Sequence, residues 1–281
     1  MGDTTEALFR TDGRELLTCG PGDGLRRWRI EANTAPEGGL QVGPSHQITL
    51  PFAPTRMAKG RDDQTLAVVG ESAGQCVLLD LDTESVRVTE MPHANVAYVA
   101  MSSDAERLAS SGWHSDRVKV WDGQSGKLIK EWAVGTASAV FFTPDNREMI
   151  VAREKEFAFY NLNSLEASRR MPRDIGLFPG HVAFTADGKL MALEMAPGVI
   201  HLKEITSGRT VARLEDPHGD HSTWMSFTPD GTQLVVAARY AGAIHRWDLR
   251  AIRARLKAMN LDWDWPEFPA DPSKKIADPP G

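Results

Sequence analysis

The residues of this chain whose types best suit metal chemistry lie in one short segment, Asp216-Pro-His218-Gly-Asp220-His221. It contains the closest pair of histidines in the sequence. Imidazole and carboxylate groups are common zinc ligands, but zinc sites use a few recurrent ligand spacings. The spacing here matches none of them, and ligand type without matching geometry is weak support for a site. We therefore predict no metal ligand.

A glycine-rich segment, Gly20-Pro-Gly-Asp-Gly24, has the composition of a phosphate-binding loop. Such a loop must lead into a helix, because the amide groups at a helix N-terminus hold the anion. A strand-like segment follows here, so we predict a hairpin turn. No serine has a Gly-x-Ser-x-Gly setting, and the glycine-rich, His-Arg-Asp and Asp-Phe-Gly motifs of protein kinases do not occur. We predict no catalytic residue and no cofactor, and expect that the chain is not an enzyme.

The elements that would position any site are set by a repeat. Six turn aspartates recur along the chain, at spacings of 51, 41, 41, 42 and 43 residues. Short apolar runs precede and follow each turn, and runs this short between turn residues are typical of β-strands. A period of about 40–45 residues predicts the blades of a β-propeller, whereas an open β-sandwich gives no reason for a regular period. The six turn aspartates are Asp12, Asp63, Asp104, Asp145, Asp187 and Asp230.

The repeat resembles the WD40 family, because two of its later strands end in Trp121-Asp122 and Trp247-Asp248. We therefore predict an all-β, WD40-type propeller of about six recognisable blades over residues 1–249, either incomplete or part of a larger ring. In WD40 repeats, a His, Ser/Thr, Asp and Trp form a structural hydrogen-bond chain. By this resemblance the hydrogen-bond chain would comprise His93, Ser111, Asp116 and Trp121 in the third repeat, Thr18, Asp23 and Trp28 in the first, and His218 and Trp247 in the sixth.

Loops that join the inner strands of the repeats provide the best candidates for binding. Binding residues concentrate on loops held by a rigid scaffold, and Trp, Tyr and Arg are enriched at the energetic centres of interfaces. The hypothesis is a partner-binding patch; in the alternative, the two aromatic residues only cover blade edges. The patch would consist of Trp113, His114, Arg153, Arg239 and Tyr240.

Composition limits the partners. The net charge of −6 argues against nucleic acid, whose binding needs a basic surface. The N-terminus is acidic and lacks the pattern of a signal peptide, and no apolar run approaches the ~18 residues that span a membrane. The two cysteines, Cys19 and Cys76, lie at apolar strand positions, so buried thiols are expected rather than a disulfide. We expect a soluble, cytoplasmic protein with a protein partner.

The C-terminal segment has a different pattern. Residues 249, 252, 256 and 259 are apolar at helical spacing, and the aromatic residues Trp263, Trp265 and Phe268 follow. We predict that residues 250–269 form a helix and an aromatic segment packed on the propeller, and that residues 270–281 are disordered. In the alternative, the segment protrudes and docks elsewhere. It resembles the end of bacterial serine/threonine kinases that carry a C-terminal WD40 propeller, which implies a module of a signalling protein.

Neither terminus supplies an obvious strand to close a ring. The strand before the first repeat is expected to be missing, and the long first interval could hold an irregular strand, although such a strand could not close the ring. Alternatively, the chain is part of a longer protein, which we favour, or an open blade edge pairs with another chain. The functional prediction is a non-catalytic scaffold for protein–protein contacts. Its alternatives are an enzyme with a site in the central funnel and a half-ring that closes by homodimerisation.

Overall fold

The computed structural model describes residues 5–32, 39–135, 137–174, 176 and 178–268. The chain divides into two compact units, residues 1–180 and residues 181–281. The segment predicted to be disordered, residues 270–281, lies outside the described residues.

The first unit contains four antiparallel sheets, each of four described strands that follow one another in the chain. We number these sheets blades one to four. Blade one has a strand, Glu6–Phe9, before its first turn, so the expectation that this strand is missing was wrong. The bounds of blade one are β1 Glu6–Phe9, β2 Glu15–Gly20, β3 Gly24–Ala32 and β4 Leu40–Ile48; of blade two, β5 Arg56–Lys59, β6 Thr65–Gly70, β7 Gln75–Asp80 and β8 Ser85–Pro92; of blade three, β9 Val96–Met101, β10 Arg107–Gly112, β11 Arg117–Asp122 and β12 Leu128–Ala133; and of blade four, β13 Ala139–Phe142, β14 Glu148–Ala152, β15 Glu156–Asn161 and β16 Ala167–Pro172.

The second unit contains blade five, with four strands, and blade six, with three strands among the described residues. One α-helix follows directly. The outer edge of the last strand, β23, therefore has no described strand beside it. The bounds are β17 Val182–Phe184, β18 Leu190–Ala196, β19 Val199–Glu204 and β20 Thr210–Glu215 in blade five; β21 Ser222–Phe227, β22 Gln233–Ala238 and β23 Ile244–Asp248 in blade six; and α1 Leu249–Ala258.

Aspartates shape the turns between the first two strands of the blades. In blade two the turn aspartate is Asp62, whose carboxylate accepts a hydrogen bond from the Gln64 amide (3.2 Å), and not Asp63 as predicted. In blade four, Asp145 Oδ1 accepts hydrogen bonds from the Arg147 amide (3.1 Å) and the Thr143 hydroxyl (2.7 Å). The residue after it, Asn146, has a φ of 56°, a left-handed conformation that Asn and Gly tolerate best. Blades five and six place Gly188 and Gly231 at that position. The sequence period is therefore a repeat of one hydrogen-bonded turn.

Blades stack through apolar faces. In blade three, Ala109, Val118 and Val120 are fully buried and lie in one cluster with Val140 and Phe142 of blade four. Because neighbouring residues of a strand point to opposite faces, the other face of blade three packs on blade two. Blade three thus buries apolar residues on both faces.

Helix α1 begins at the N-cap Asp248, whose carboxylate accepts a hydrogen bond from the Ala251 amide (2.9 Å). Behind it, Trp263 and Phe268 pack against the apolar core of the second unit. Within the described ranges, no helix has the length and apolar character required to cross a membrane. Over the same residues the fold class is all-β, a six-bladed β-propeller type with one short C-terminal helix, as predicted.

Candidate functional site

The hydrogen-bond chain of blade three differs from the predicted one by one residue at two of its members. Trp121 Nε1 donates to the hydroxyl of Ser110 (2.8 Å), and His93 bonds the same hydroxyl (2.7 Å). The second nitrogen of His93 bonds Ser115 (3.0 Å). The predicted members Ser111 and Asp116 were wrong: Ser111 donates to the Ser138 carbonyl, and Asp116 is exposed.

Strand register explains this displacement. Trp121 lies directly opposite Leu108, and the residue two positions along the same face is Ser110. Ser111 points to the other face of the sheet, because side chains alternate. In blade one, Trp28 lies opposite Leu16 in the same way. There Trp28 Nε1 donates to Thr18 (2.8 Å), so the structure brings these two predicted residues together. The Asp23 carbonyl accepts a hydrogen bond from Arg26 (3.1 Å).

In blade six, the residues that hold the positions of this hydrogen-bond chain differ from those predicted. His218 is exposed, so its assignment to the buried chain was wrong. The amide of Asp216 donates to the Gly198 carbonyl (2.7 Å), as the His93 amide donates to the Gly74 carbonyl (2.8 Å). Asp216 therefore occupies the position of His93. Its carboxylate lies 3.6 Å from His245 Nδ1 on β23, and Trp247 lies opposite Leu234.

Beneath the loop that joins β22 to β23 lies a small cavity of about 20 Å³. Glu194 and His221, which line it, are buried at 2% and 6% exposure. Glu194 Oε1 accepts a hydrogen bond from the Ser222 amide (2.9 Å) and lies 3.7 Å from His221 Nδ1. Asp216 and His245 also line the cavity. The sequence analysis missed Glu194, because its strand position resembles ordinary core.

Ser222, His221 and Glu194 have the residue types of a hydrolase triad, but their arrangement does not support that chemistry. A triad needs the serine hydroxyl bonded to the histidine. Among the described residues, the Ser222 hydroxyl has no hydrogen-bond partner. The cavity is also too small to admit a substrate. In the described part of the chain, no group of three or more His, Cys, Asp or Glu residues is arranged to hold a metal ion.

Three of the predicted patch residues lie in the first unit. Trp113 is half-buried and stacks on Phe178, with ring centroids 4.9 Å apart, while its neighbour His114 is exposed. Arg153 donates to the Val134 carbonyl (2.8 Å) and pairs with Glu156. These contacts fix the side chains of Trp113 and Arg153, and nothing in the sequence pattern indicated Phe178 as the stacking partner.

A buried arginine that the sequence analysis missed supports these loops. The Arg173 guanidinium is 5% exposed and donates to the carbonyls of Phe178 (2.6 Å) and Glu154 (3.2 Å). It therefore ties the loop that carries Phe178 to the loop that carries Arg153.

The other two predicted patch residues lie in the second unit. Tyr240 is 68% exposed, and the Arg239 guanidinium lies 6.0 Å from its ring centroid. The carboxylate of Asp220 holds this loop, because it accepts hydrogen bonds from the amides of Tyr240 (3.0 Å) and Ala241 (2.8 Å). The bond from Ala241 is the main cause that lowers the pKa of Asp220.

An uncovered apolar face on blade six adjoins this loop. Trp224, Ala237 and Ile244 lie side by side across the three strands. Trp224 is 48% exposed and Ile244 is 76% exposed. By register, Ile244 corresponds to Val118 of blade three, which blade four covers completely. Exposed apolar residues in a contiguous row mark an interaction surface.

A larger groove in the first unit, of about 640 Å³, is lined mainly by charged residues. At one wall, Arg27 bonds both carboxylate oxygens of Glu15 (2.9 and 2.7 Å) and one oxygen of Glu84 (3.0 Å). His46 bonds the other oxygen of Glu84 (2.6 Å). These groups satisfy one another, so the wall is a structural network between blades one and two.

No family model matches the chain, and no curated protein sequence matches it significantly. Among solved structures, the chain is similar to Kuenenia stuttgartiensis hydrazine synthase. The TM-score is 0.69 at 14% identity, over 91% of this chain and 79% of that chain. A likeness at this identity shows the fold alone, so the chain has the β-propeller fold without a function that follows from it.

Proposed function

We propose that this chain is a non-catalytic scaffold of the WD40 type that binds a protein partner. It acts in the cytoplasm as the C-terminal module of a bacterial signalling protein of the serine/threonine kinase type. The partner contacts the apolar row of blade six and the adjacent loop with Arg239 and Tyr240. The first-unit loops with Trp113, His114 and Arg153 provide a second contact.

The uncovered face of blade six is the observation that carries this proposal. In blade three, the equivalents of Ala237 and Ile244 are Ser111 and Val118, and both are fully buried. Trp224 and Ile244 instead remain exposed beside Arg239 and Arg246. Aromatic, aliphatic and Arg side chains together are the composition of interface centres. The partner surface that fits this face is apolar and bordered by carboxylates.

Affinity capture from source cells tests the proposed contact. We expect Ile244→Glu to reduce capture of the partner about tenfold or more, because it places a charge in the apolar centre of the contact. Leu128→Glu is the matched control, since Leu128 is 47% exposed on a strand of the first unit. Equal capture by both variants would contradict the proposal for blade six.

Reversing the charge of single arginines tests whether the loops contact the partner. Arg239→Glu and Arg153→Glu should each weaken capture, whereas Arg147→Glu should not, because the side chain of Arg147 is 79% exposed outside the proposed patch. Arg153 also makes internal contacts, so its variant must retain the unfolding midpoint of the parent for the result to count. If neither loop variant changes capture, the loops are not part of the contact.

Self-association is the second candidate function, because blade one also has an uncovered apolar face. Phe9, Leu16 and Trp28 lie side by side, and Phe9 is 57% exposed. Their equivalents in blade three pack against blade two. Light scattering on the purified chain distinguishes the candidates: twice the chain mass supports self-association, and a single chain mass supports a different partner.

The signalling context rests on the resemblance of the C-terminal segment alone. An antibody against residues 249–268 would capture the native protein from source cells for mass measurement. We expect a mass well above 30.9 kDa, with peptides from a kinase domain. A mass near that of this chain would overturn the kinase context and leave the scaffold proposal standing.

A further inference from the structure

The last strand of blade six, β23, has an open outer edge. The Ala238 amide of β22 donates a hydrogen bond to the Ala243 carbonyl (2.8 Å). Hydrogen bonding alternates along antiparallel strands, so the odd-numbered residues of β23 bond β22. The N–H and C=O groups of Ile244 and Arg246 therefore point to the outer edge. The described part of the chain places no strand beside that edge, because β23 leads directly into α1.

A fourth strand covers this edge in the other five blades. In each of them the third-strand residue equivalent to Ile244 is 4% exposed or less, whereas Ile244 is 76% exposed. By register, the equivalents are Leu25, Cys76, Val118, Phe157 and Ile200. The other blades of this chain therefore show what would bury Ile244, namely a fourth strand.

The five fourth strands share one feature at this point. Each places an apolar residue directly opposite the equivalent of Ile244. These residues are Ile48, Met91, Trp132, Met171 and Leu214. Directly opposite side chains contact each other and stabilise the pairing of strands. A strand that pairs with β23 in the same register would therefore place a large apolar side chain opposite Ile244.

The exposed Arg246 determines the charge that fits this edge. It lies on the same face as Ile244, because side chains alternate along a strand. The equivalent arginine of blade one, Arg27, bonds both carboxylate oxygens of Glu15 (2.9 and 2.7 Å). Blade six has Gln233 in the position of Glu15. An acidic residue on the incoming strand, opposite Arg246, would supply the carboxylate instead.

We propose that β23 accepts a strand of the partner protein as the fourth strand of blade six. The strand runs antiparallel to β23, with an acidic residue opposite Arg246 and, two positions later, a large apolar residue opposite Ile244. Main-chain hydrogen bonds supply affinity, and the alternate side chains supply specificity. This mode of binding rests on the proposed function, because it uses the same face of blade six.

A synthetic peptide tests the edge directly in the intact chain. The probe copies residues 127–134, which contain the fourth strand of blade three, with Lys130→Glu. In the register of that blade, Trp132 comes opposite Ile244 and the new carboxylate comes opposite Arg246. Hydrogen exchange measured by NMR should show that the probe slows exchange of the Ile244 and Arg246 amides about tenfold or more. Absence of this protection overturns the inference.

The control peptide has the same composition, with residues 131 and 132 exchanged. The exchange moves the indole ring to the opposite face of the strand, away from Ile244. We expect no protection of the two amides by the control peptide. Equal protection by both peptides would overturn the proposed pattern of side chains.

Proline distinguishes strand addition from docking through side chains alone. Arg246→Pro removes an N–H that points outward and leaves the bonds between β22 and β23 intact, which an edge strand tolerates. Arg246→Ala removes the same charge but keeps the N–H. Affinity for the probe should be about tenfold lower in Arg246→Pro than in Arg246→Ala. Equal affinities overturn the inference. Should Arg246→Pro not fold, amide protection in the parent chain decides.

Two results distinguish failure of this inference from failure of the proposed function. If Ile244→Glu reduces capture from source cells but the probe does not protect the two amides, the partner binds without adding a strand, and only this inference fails. If the probe protects the amides but Ile244→Glu leaves capture unchanged, the edge accepts a strand and the proposed contact of the captured partner fails. Slow exchange of both amides in the chain alone would also overturn the inference, because a second copy or another segment would already pair with the edge.

Discussion

The carboxylate of Asp216 lies 3.6 Å from Nδ1 of His245, and this pair replaces the contact between His93 and Ser110 in blade three. In blade three the loop position carries the imidazole, whereas in blade six it carries the carboxylate and the strand carries the imidazole. Both arrangements join the loop before a blade to a strand within it. The loop is therefore joined to the blade by a different pair of groups, and to the third strand of the blade rather than the second.

The network of blade three predicts that loss of a buried hydroxyl affects stability more than loss of an exposed acid. Ser110→Ala should lower the free energy of unfolding by about 2 kcal/mol, because it leaves the buried Trp121 indole N–H and His93 without their shared partner. Asp116→Ala should change it by less than about 0.5 kcal/mol, since Asp116 is exposed. Urea unfolding measures both, and a larger loss from Asp116→Ala would contradict the network.

The blades could be predicted from the sequence because their signal is local and repeated. A turn aspartate such as Asp145 bonds backbone and side-chain groups within a few residues of itself, so its position shows directly in the sequence. The hydrogen-bond partners across strands could not be placed equally well. Choosing Ser110 over Ser111 requires the register against Trp121, and a displacement of one residue exchanges the two faces of a strand.

Even less of the candidate site than of the strand pairing could be predicted from the sequence. The resemblance assigns His218 to the hydrogen-bond chain of blade six, but Asp216 holds the position that corresponds to His93. Glu194 gave no signal, because it belongs to a strand of otherwise apolar core residues. Phe178 reaches Trp113 from a distant loop. Contacts between residues that are distant in the sequence depend on tertiary packing, which a single sequence does not display.

The free energy of unfolding should depend on pH through His93. Burial, with a smaller effect from the Lys119 ammonium, lowers the pKa of His93 to about 4, whereas an unfolded histidine titrates near 6.5. Between these values the unfolded chain binds more protons, so the free energy of unfolding should fall as pH drops from about 6.5 to 4. This group contributes at most about 1.4 kcal/mol per pH unit.

Two histidine variants isolate that contribution in urea unfolding at several pH values. His93→Gln should flatten the slope between about pH 4 and 6.5, because the group that titrates differently in the two states is removed. His218→Gln should leave the slope as it is, since His218 is exposed. An unchanged slope in His93→Gln would show that other groups cause the acid sensitivity.

Both cysteines should be inert in the native protein. Burial raises the pKa of Cys19 and of Cys76 to about 12, and both residues are free thiols with no exposed surface. The thiolate is the reactive form, so neither should react with a maleimide at neutral pH, and both should react in urea. Mass spectrometry counts the adducts, and rapid native labelling of either cysteine would show that its blade opens.

Arg253 is predicted to hold the C-terminal segment on the second unit. Its guanidinium is 8% exposed and bonds the Asp262 carboxylate through two nitrogens (3.0 Å each) as well as the Pro266 carbonyl (2.6 Å). Arg253→Ala leaves these acceptors unpaired, so docking of the segment should weaken by roughly 2–3 kcal/mol. Arg255→Ala, an exposed change two residues away, should have little effect.

Limited proteolysis and tryptophan fluorescence measure this docking. In Arg253→Ala, cleavage between residues 259 and 268 should accelerate, and emission from Trp263 should move toward that of a solvated indole, because this ring packs against the apolar core together with Phe268. Equal protection of Arg253→Ala and Arg255→Ala would mean that the aromatic contacts alone anchor the segment. The guanidinium would then serve only to satisfy the carbonyls around it.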